Sequence, residues 1–449
     1  MKRLLLIIIC AGAICSTQSQ VLTLDSCLNA ARQRNCTIQS ALLDVQISQQ
    51  VKKQVFTKYF PQVNLVGFGF YAIEPLVRVY IPGLMQTDEG RIALEAIFEA
   101  LKEEHPNISD EFDMLKWGVT AGASLIQPVF MGGRIVNGNK LAKLGIEASE
   151  KKVEISERDI LQEVEDTYWL VAGLYEKRET VSRVKQLLDT IDTVAQSAFT
   201  NGLVTRNDLL KVALKRNEIE TKSVQLEDGI VLASRALCQL TGIDYTGELE
   251  LEPFPEDNSV ETYVLVDSFI VSGRPEAELL SLNIKAEQLR KKMLIGEALP
   301  QVGIGLQGGY NNFFERHRWN GFGFAFVRIP LTQWWETGNK IKEQNLKIAK
   351  AQMMQKDLME KMTLQNEQAF NQLNEAARMV AQSESAVQMA QDNYDLSMMN
   401  YQAGLATMSE LLESQALLLQ AQNNYTDARI SYRAAQRKFN SYNKKYYDY

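Results

Sequence analysis

The sequence of 449 residues predicts a mixed α+β membrane protein in which a unit of helix, strand, strand, long helix and shorter helix occurs twice in tandem. Three observations support this fold class. Residues 129–252 and 331–449 contain no proline, as very long helices require, because a proline inside a helix costs about 3 kcal/mol. Four short segments alternate apolar with small or polar residues, as half-buried strands do. Similar motifs also recur about 200 positions apart, which indicates an internal duplication.

The composition excludes several classes of function. A formal charge of −7 gives no reason to expect a nucleic-acid partner. Two histidines and five cysteines leave little material for a metal centre. The sequence shows no glycine-rich phosphate loop after a strand, no metal-ligand spacing and no nucleophile elbow. We therefore expect a protein that is not an enzyme and that holds no cofactor.

The first residues are typical of a secretory signal. Lys2 and Arg3 precede an apolar run that ends at Cys15, and this run is too short to span a bilayer. Small residues before Gln20 predict a signal peptide at 1–19. Lipidation at Cys15 is the alternative, although the bulky Ile14 disfavours it. Either processing sends the chain out of the cytoplasm, and no later apolar run is long enough for a transmembrane helix.

The mature chain is predicted to contain repeat one at about 20–245 and repeat two at about 260–449. Each repeat has a long helix, at 134–200 and 338–402, of about 100 and 95 Å. A Gly-Leu-x-Thr turn and a helix of roughly 40 residues follow each long helix. Apolar residues recur about every 3.5 positions on these helices, which indicates supercoiling. A plain four-helix bundle would show the same period.

The strands are predicted at about 60–72, 117–130, 300–314 and 319–331. In each strand the apolar residues are expected on one face, as in outer-membrane strands, with aromatic residues at the ends. The apolar faces include Val66, Phe68, Phe70, Leu125, Val302, Ile304, Leu306, Phe322, Phe324 and Phe326. An antiparallel sheet packed on a soluble core is the alternative. Because four strands cannot close a barrel, other copies must complete it, two copies giving eight strands and three giving twelve. The segment 73–116 is predicted to be an extracellular loop containing a helix.

Three cysteines follow the predicted signal, namely Cys27, Cys36 and Cys238. The odd number leaves at least one free thiol in an oxidising compartment. Cys27 and Cys36 could pair only if the helix between them is broken, because a continuous helix would hold them roughly 13 Å apart. The other interpretation is that the cysteines are small buried hydrophobic residues.

Four sequence motifs together resemble the TolC family of outer-membrane efflux proteins, over essentially the whole mature chain. They are the opening Leu22-Thr-Leu-Asp-Ser-Cys-Leu28, the Pro-Gln strand entries at Pro61 and Pro300, the junction Gln127-Pro-Val-Phe-Met-Gly-Gly-Arg134 and the doubled Gly-Leu-x-Thr turn. The resemblance implies a homotrimer with a twelve-stranded β-barrel in outer-membrane lipid, four strands from each chain. The barrel would continue as a coiled-coil α-helical barrel into the periplasm. Such a trimer would be a passive exit duct for multidrug efflux or type I secretion.

The implied partners are a periplasmic adaptor (membrane fusion) protein and an inner-membrane pump of the resistance-nodulation-division, ABC or major-facilitator type. The resemblance assigns adaptor docking to the two turns, Gly202, Leu203, Val204 and Thr205 in the first and Gly404, Leu405, Ala406 and Thr407 in the second. It places Glu410, Glu413 and Tyr401 at a tunnel constriction. Without the resemblance, the two glutamates would be solvated residues of a helix face.

The sequence departs from the family pattern at Ala406, where the family has a gating arginine, and Arg206 in the first turn is a candidate replacement. The second strand-to-helix junction also lacks the double glycine of the first.

Methionines are frequent in the last pair of helices. They could line a path for copper or silver ions, or they could fill irregular spaces in the packing of the helices. The alternative function is a structural or surface coiled-coil protein of the envelope without channel activity, which would explain the helices but not the four alternating strands. The sequence indicates neither the exported substrate nor the pump family.

Overall fold

The computed structural model describes residues 21–254, 273–312 and 317–443, so the predicted signal peptide lies outside the described residues. The described parts of Met1–Ile47, Glu147–Leu282 and Gln352–Tyr449 belong to one compact unit, unit 1. Those of Ser48–Ile146 and Asn283–Ala351 belong to a second, unit 2. The units do not coincide with the two sequence repeats, because strands from both repeats pair in a single sheet of unit 2.

The order of elements follows the predicted duplication, with an insertion between the first two long strands. The helices of the described residues are α1 (Leu24–Arg34), α2 (Cys36–Phe56), α3 (Asp88–Glu104), α4 (Arg134–Thr200), α5 (Arg206–Thr241), α6 (Pro275–Glu297), α7 (Gln333–Gln402) and α8 (Met408–Tyr442). The strands are β1 (Gln62–Tyr71), β2 (Val77–Tyr80), β3 (Glu111–Met114), β4 (Trp117–Met131), β5 (Gln301–Asn311) and β6 (Arg318–Arg328). Short 3-10 helices lie at Thr57–Tyr59 and Pro82–Leu84. None of the described helices is both long and apolar enough to cross a bilayer.

The two long helices begin differently. Helix α4 has 67 residues and begins after Gly132 and Gly133, whose φ angles of 61° and 75° form a left-handed turn. Helix α7 has 70 residues and begins at Gln333 rather than at the predicted 338. The second copy lacks the double glycine, the helix begins after the short turn that follows Pro330, and Gly338 lies inside it. Nothing lies within 4 Å of a Cβ built on Gly338.

Unit 1 buries the apolar seams of its helices. One core joins α4, α5, α7 and α8 around Leu188, Ile219 and Leu411, which are all fully buried. In a second core, α7 packs against α8 through alternating large and small apolar residues. Its buried members include Leu373, Val380, Tyr432 and Phe439. The predicted heptad seams are thus the surfaces through which these helices pack.

The three cysteines within the described residues are free, although the chain does break between α1 and α2. Asn35 ends α1, its side-chain oxygen accepts from the amide of Thr37 at 2.9 Å, and its amide nitrogen donates to the carbonyl of Leu240 at 2.8 Å. The break therefore does not bring Cys27 and Cys36 into a disulfide. Cys27 and Cys238 are buried, whereas Cys36 is exposed, so the small-hydrophobic interpretation fails for Cys36.

Unit 2 contains an antiparallel sheet in the order β1-β4-β5-β6. Its strands lie within a few residues of the segments whose alternation predicted them. Helix α3 spans Asp88–Glu104 inside the predicted loop, and its N-terminal cap is Thr87, whose side chain accepts from the amide of Gly90. Strands β2 and β3 pair across the same loop. They were not predicted, because four residues each are too few for a convincing alternation.

The register of the sheet corrects one prediction. Residues directly opposite each other point to the same side of a sheet, and Gly305 of β5 lies opposite Phe324 while Leu306 lies opposite Gly323. The phenylalanines of β6 therefore share a face with the glycines of β5, and not with its aliphatic residues. On β1, Phe68 likewise lies opposite Thr120. The expectation of an outer-membrane type of apolar face is therefore wrong for the residues named on the edge strands β1 and β6, which lie on the opposite side of the sheet from those named on β4 and β5.

Two faces can now be defined. The apolar face contains Val63, Leu65, Val119, Leu125, Ile304, Leu306 and Val327, with Tyr71, Trp117, Tyr310 and Trp319 at one end. The mixed face contains Asn64, Thr120, Ser124, Gln307, Asn311 and Asn320, together with Phe68, Phe70, Phe322, Phe324 and Phe326. Alternation within one strand does not show which side of the sheet is apolar, because that depends on pairing between strands distant in sequence.

Candidate functional site

The first predicted tip is the turn between α4 and α5. Gly202 has φ 73°, the left-handed conformation that terminates helices and that glycine adopts at no steric cost. The amide of Leu203 donates to the carbonyl of Ala198 at 2.9 Å, and the amide of Gly202 donates to that of Phe199 at 2.9 Å. These two bonds satisfy carbonyl groups at the end of α4 and give the turn a fixed backbone.

The second predicted tip, between α7 and α8, has the same construction. Gly404 has φ 75°, and the amide of Leu405 donates to the carbonyl of Asn400 at 2.8 Å. Nothing lies within 4 Å of a Cβ built on Gly202 or on Gly404. The need for glycine at these positions therefore comes from the backbone angle and not from crowding.

Each tip presents one leucine to solvent. Leu203 is 77% exposed and Leu405 is 80% exposed, while Val204 and Ala406 are half-buried. An exposed leucine on a turn that hydrogen bonds hold in place is a preformed apolar contact, which another protein could cover without ordering the backbone first. The two tips offer this feature twice in one chain.

Both turns lead into a capping box, in which the residue before the helix and the third helical residue cap each other. The amide of Thr407 donates to Glu410 Oε2 at 2.7 Å, and the amide of Glu410 donates to Thr407 Oγ1 at 3.3 Å. Thr205 and Asp208 form the same arrangement at the start of α5. Hydrogen bonds from the Thr205 hydroxyl and amide, with a contribution from Lys211, hold the pKa of Asp208 below its ordinary value.

The two glutamates predicted at the constriction consequently have different roles. Glu410 and Glu413 are both exposed near the start of α8, but the carboxylate of Glu410 is bound at the helix cap. Glu413 makes no ion pair or side-chain hydrogen bond within the described part of the chain. Of the two, Glu413 presents the carboxylate that is available to solvent.

Sequence reasoning missed the charges at the corresponding positions of the first repeat. Asp208 and Lys211 stand where the second repeat has Glu410 and Glu413. The amino group of Lys211 donates to Ser409 Oγ at 2.7 Å and lies 3.5 Å from Asp208 Oδ1. Lys211 therefore connects the beginning of α5 to the beginning of α8. The offset between the repeats would have revealed this pair, which makes the tips less acidic than two copies of the glutamate pair would be.

Tyr401 lies where α7 ends and packs against the core of the four helices. Burial, together with the negative charge of Asp208, raises the pKa of its hydroxyl. Arg206, the candidate replacement for the gating arginine, forms no ion pair with any residue that the structure describes, so it provides no latch within one chain.

The methionines give limited support to the packing interpretation. Met362 and Met408 are 2% exposed and belong to cores, whereas Met353, Met354, Met389 and Met399 are exposed. Among the described residues, histidine, cysteine and carboxylate side chains form no cluster that could hold a metal ion.

Comparison with known proteins gives a clear result for the fold. No family model and no curated protein matches the sequence. Among solved structures, the outer-membrane channel OprN matches with a TM-score of 0.75 and 11% identity, covering 93% of this chain and 89% of that one. The outer-membrane protein VceC of Vibrio cholerae matches with a TM-score of 0.70 and 15% identity, covering 93% and 95%. CusC, whose structures concern folding and transmembrane channel formation, matches with a TM-score of 0.76 and 12% identity, covering 93% and 91%.

The class of fold is therefore that of the outer-membrane channels, over nearly the whole length of both chains. The resemblance to the TolC family of outer-membrane efflux proteins is confirmed at the level of fold. At these identities the likeness shows architecture alone.

Proposed function

We propose that this chain is one protomer of a homotrimeric exit duct in the outer membrane, which passively conducts substrates from an inner-membrane pump to the outside. The observation that supports this proposal most strongly is the fold likeness to outer-membrane channels over 93% of the chain. The duct would serve multidrug efflux or type I secretion and would perform no chemistry of its own.

The sheet supports a membrane location and an assembly of several copies. Its four strands leave two edges, and a sheet in lipid must pair every backbone group, so other copies must continue it. Three copies would supply twelve strands, within the range of closed membrane barrels. The apolar face would contact lipid, its aromatic end would lie at an interface, and the mixed face would contact water. The segment 73–116 would be extracellular, and the helical barrel of the assembly would extend into the periplasm.

The tips support a docking role. We assign them to contact with a periplasmic adaptor, because each presents an exposed leucine on a backbone that hydrogen bonds and a capping box hold rigid. The adaptor would in turn connect the duct to a pump of the resistance-nodulation-division, ABC or major-facilitator type. Energy and substrate selection would come from that pump.

The carboxylates near the second tip support a cation-preferring constriction. In a trimer, three copies of Glu410 and Glu413 would place six negative charges around one axis, and such rings attract cations. Because Glu410 is engaged in the helix cap, Glu413 would contribute more directly to ion selection. Tyr401 would restrict movement of the same segment through its packing at the end of α7.

The test is single-channel recording from purified full-length protein in a planar bilayer, with native mass measured in detergent. We expect trimers and cation-selective steps, and Glu413→Gln should reduce cation selectivity without abolishing conductance. Glu89→Gln, which removes an exposed carboxylate from the first turn of α3, is the matched control and should leave selectivity unchanged. Particles of trimeric mass without any conductance would favour the envelope coiled-coil alternative.

A further inference from the structure

The two edges of the sheet in unit 2 have matching properties. Strand β1 has ten residues and strand β6 has eleven, and each is hydrogen-bonded on one side only within the described sheet. Exposed edges of soluble proteins are usually protected by charged residues or proline. Strand β1 contains no charged residue, and β6 has charges only at its ends, Arg318 and Arg328. Such edges are suited to pairing with another strand.

Both edges also present phenylalanines on the mixed face. On β1 the rings of Phe68 and Phe70 stack with centroids 6.1 Å apart. On β6 the ring centroids of Phe322 and Phe324 are 5.9 Å apart. Phe324 covers Gly305 on the neighbouring strand, where a Cβ would clash with its ring. Phe68 and Phe322 are each 59% exposed, so both edges retain aromatic surface that the isolated chain does not bury.

The geometry of a closed barrel determines which residues of the two edges can meet. Following the observed pairs across the sheet, Gln62 is level with Phe324 through Ile126 and Gly305. Four strands spaced about 4.8 Å apart are about 19 Å wide. Because the strands of a barrel are tilted by about 35–45° from its axis, each copy is shifted along the strand direction relative to the one before it. For a width of about 19 Å this shift is about 13–19 Å, or about four to six residues.

Only an even displacement keeps each face of the sheet on its own side, because side chains alternate with a period of two. If β1 of the next copy is shifted along β6 by about four residues in one direction from the level position, residues 62–71 pair with 319–328 along the whole of β1. A shift in the opposite direction leaves only a short overlap. The shift of about four residues places Phe68 opposite Phe322, and a shift of about six in the same direction places it opposite Phe324. In both registers the phenylalanines of the two edges lie side by side.

In the proposed barrel β6 of one copy pairs with β1 of the next, and we propose that Phe68 and Phe70 of one copy pack against Phe322 and Phe324 of the other as an aromatic seam on the water-facing side. This inference rests on the proposed function, since it assigns the surface through which copies of the duct associate. Aromatic pairs across neighbouring strands add to the stability of strand pairing. The seam gives a role to the phenylalanines that the two edge strands present on the mixed face, where Val66 of β1 and Ile126 of β4 are further large apolar residues.

The test is disulfide cross-linking of the full-length protein in detergent, in a Cys36→Ser background, since Cys27 and Cys238 are buried. Phe68→Cys is combined with Phe322→Cys or with Phe324→Cys. The matched control combines Phe68→Cys with Ala325→Cys, which lies on the apolar face. Within one chain β1 and β6 are separated by two strands, or roughly 14 Å, which is too far for a disulfide, so a disulfide between these positions must join two copies.

We expect oxidation to convert one of the two phenylalanine-face pairs into covalent dimers and trimers, and the Ala325 control to remain uncross-linked. Cross-linking through Ala325 that equals or exceeds the other pairs would overturn the seam. Absence of cross-links in a protein that is trimeric by native mass and conducts ions would overturn the seam while the proposed function stands. A protein that is monomeric throughout would overturn both.

A second measurement does not depend on introduced cysteines. The Phe68→Ala/Phe322→Ala variant should dissociate into monomers at lower detergent concentration than the unmodified protein. Leu65→Ala, which truncates an exposed residue of β1 on the apolar face, is the control and should dissociate less readily than the double variant. Equal dissociation of the two variants would contradict a specific role for the phenylalanines.

Discussion

The second tip allows a quantitative test of the turn geometry by Gly404→Ala. Gly404 has φ 75°, and no atom lies within 4 Å of an added Cβ, so the substitution introduces conformational strain without a clash. An L-residue in this region costs roughly 1–2 kcal/mol. That cost corresponds to about a 5- to 30-fold increase in the equilibrium opening of the turn.

Amide hydrogen exchange measures this opening locally. The amide of Leu405 is bonded to the carbonyl of Asn400 at 2.8 Å, so a peptide covering the turn should exchange about 5- to 30-fold faster in Gly404→Ala. Gly229→Ala is the matched control, because Gly229 lies inside α5, has no positive φ and also has nothing within 4 Å of its added Cβ. There alanine should slow local exchange, since glycine inside a helix costs about 0.5–1 kcal/mol. Unchanged exchange at the second tip in Gly404→Ala would refute the claim that the turn depends on the left-handed conformation.

Three further predictions follow from the same elements. Glu410→Gln should preserve the cap of α8, because glutamine also completes a capping box. Glu410→Ala removes the hydrogen bond to the amide of Thr407 and should lower the local free energy of opening by about 0.5–1.5 kcal/mol, measured by hydrogen exchange at the start of α8; equal effects of the two variants would contradict the cap. Maleimide at neutral pH should label Cys36 in the folded protein and should not label Cys27, because burial raises the pKa of the Cys27 thiol to about 11. Labelling of Cys27 in a Cys36→Ser variant would contradict that burial. The pKa of Asp208 is held below its ordinary 3.8, so its cap stabilises the folded state above that pH, and this contribution should be lost as the pH falls through the lower folded-state value. The measurement is the protection of the amides at the start of α5 relative to their intrinsic exchange rates at each pH; protection that does not fall in acid would contradict this.

Local signals in the sequence were sufficient for the helices. The proline-free runs and the heptads predicted α4 at the residues where it lies, because both signals act within one helix. The start of α7 was predicted at 338 rather than at Gln333, since the second junction lacks the double glycine that marks the start of α4. The capping role of Glu410 was readable from the Thr-x-x-Glu spacing before an apolar run, but the resemblance directed attention to the constriction instead.

Long-range pairing was not predictable from the sequence. The alternation in β6 correctly separates Phe324 from its neighbours Gly323 and Ala325. It does not show that Phe324 lies over Gly305, because the register between β5 and β6 depends on side chains from both strands and on the rest of the sheet. The same reasoning applies to Cys27 and Cys36, for which a break in the helix was necessary for pairing but not sufficient.

The central claim is that copies of this chain enclose a water-filled path whose wall in the membrane is the mixed face of the sheet. The most direct measurement is single-channel conductance during addition of a charged, membrane-impermeant thiol reagent to Gln307→Cys and Leu306→Cys variants, each in the Cys36→Ser background. Gln307 lies on the mixed face opposite Ser124, and Leu306 lies on the apolar face opposite Leu125. The account predicts that the reagent reduces conductance of the Gln307→Cys channel and leaves the Leu306→Cys channel unchanged. The opposite pattern, or no channel in either variant or in the unmodified protein, would contradict it.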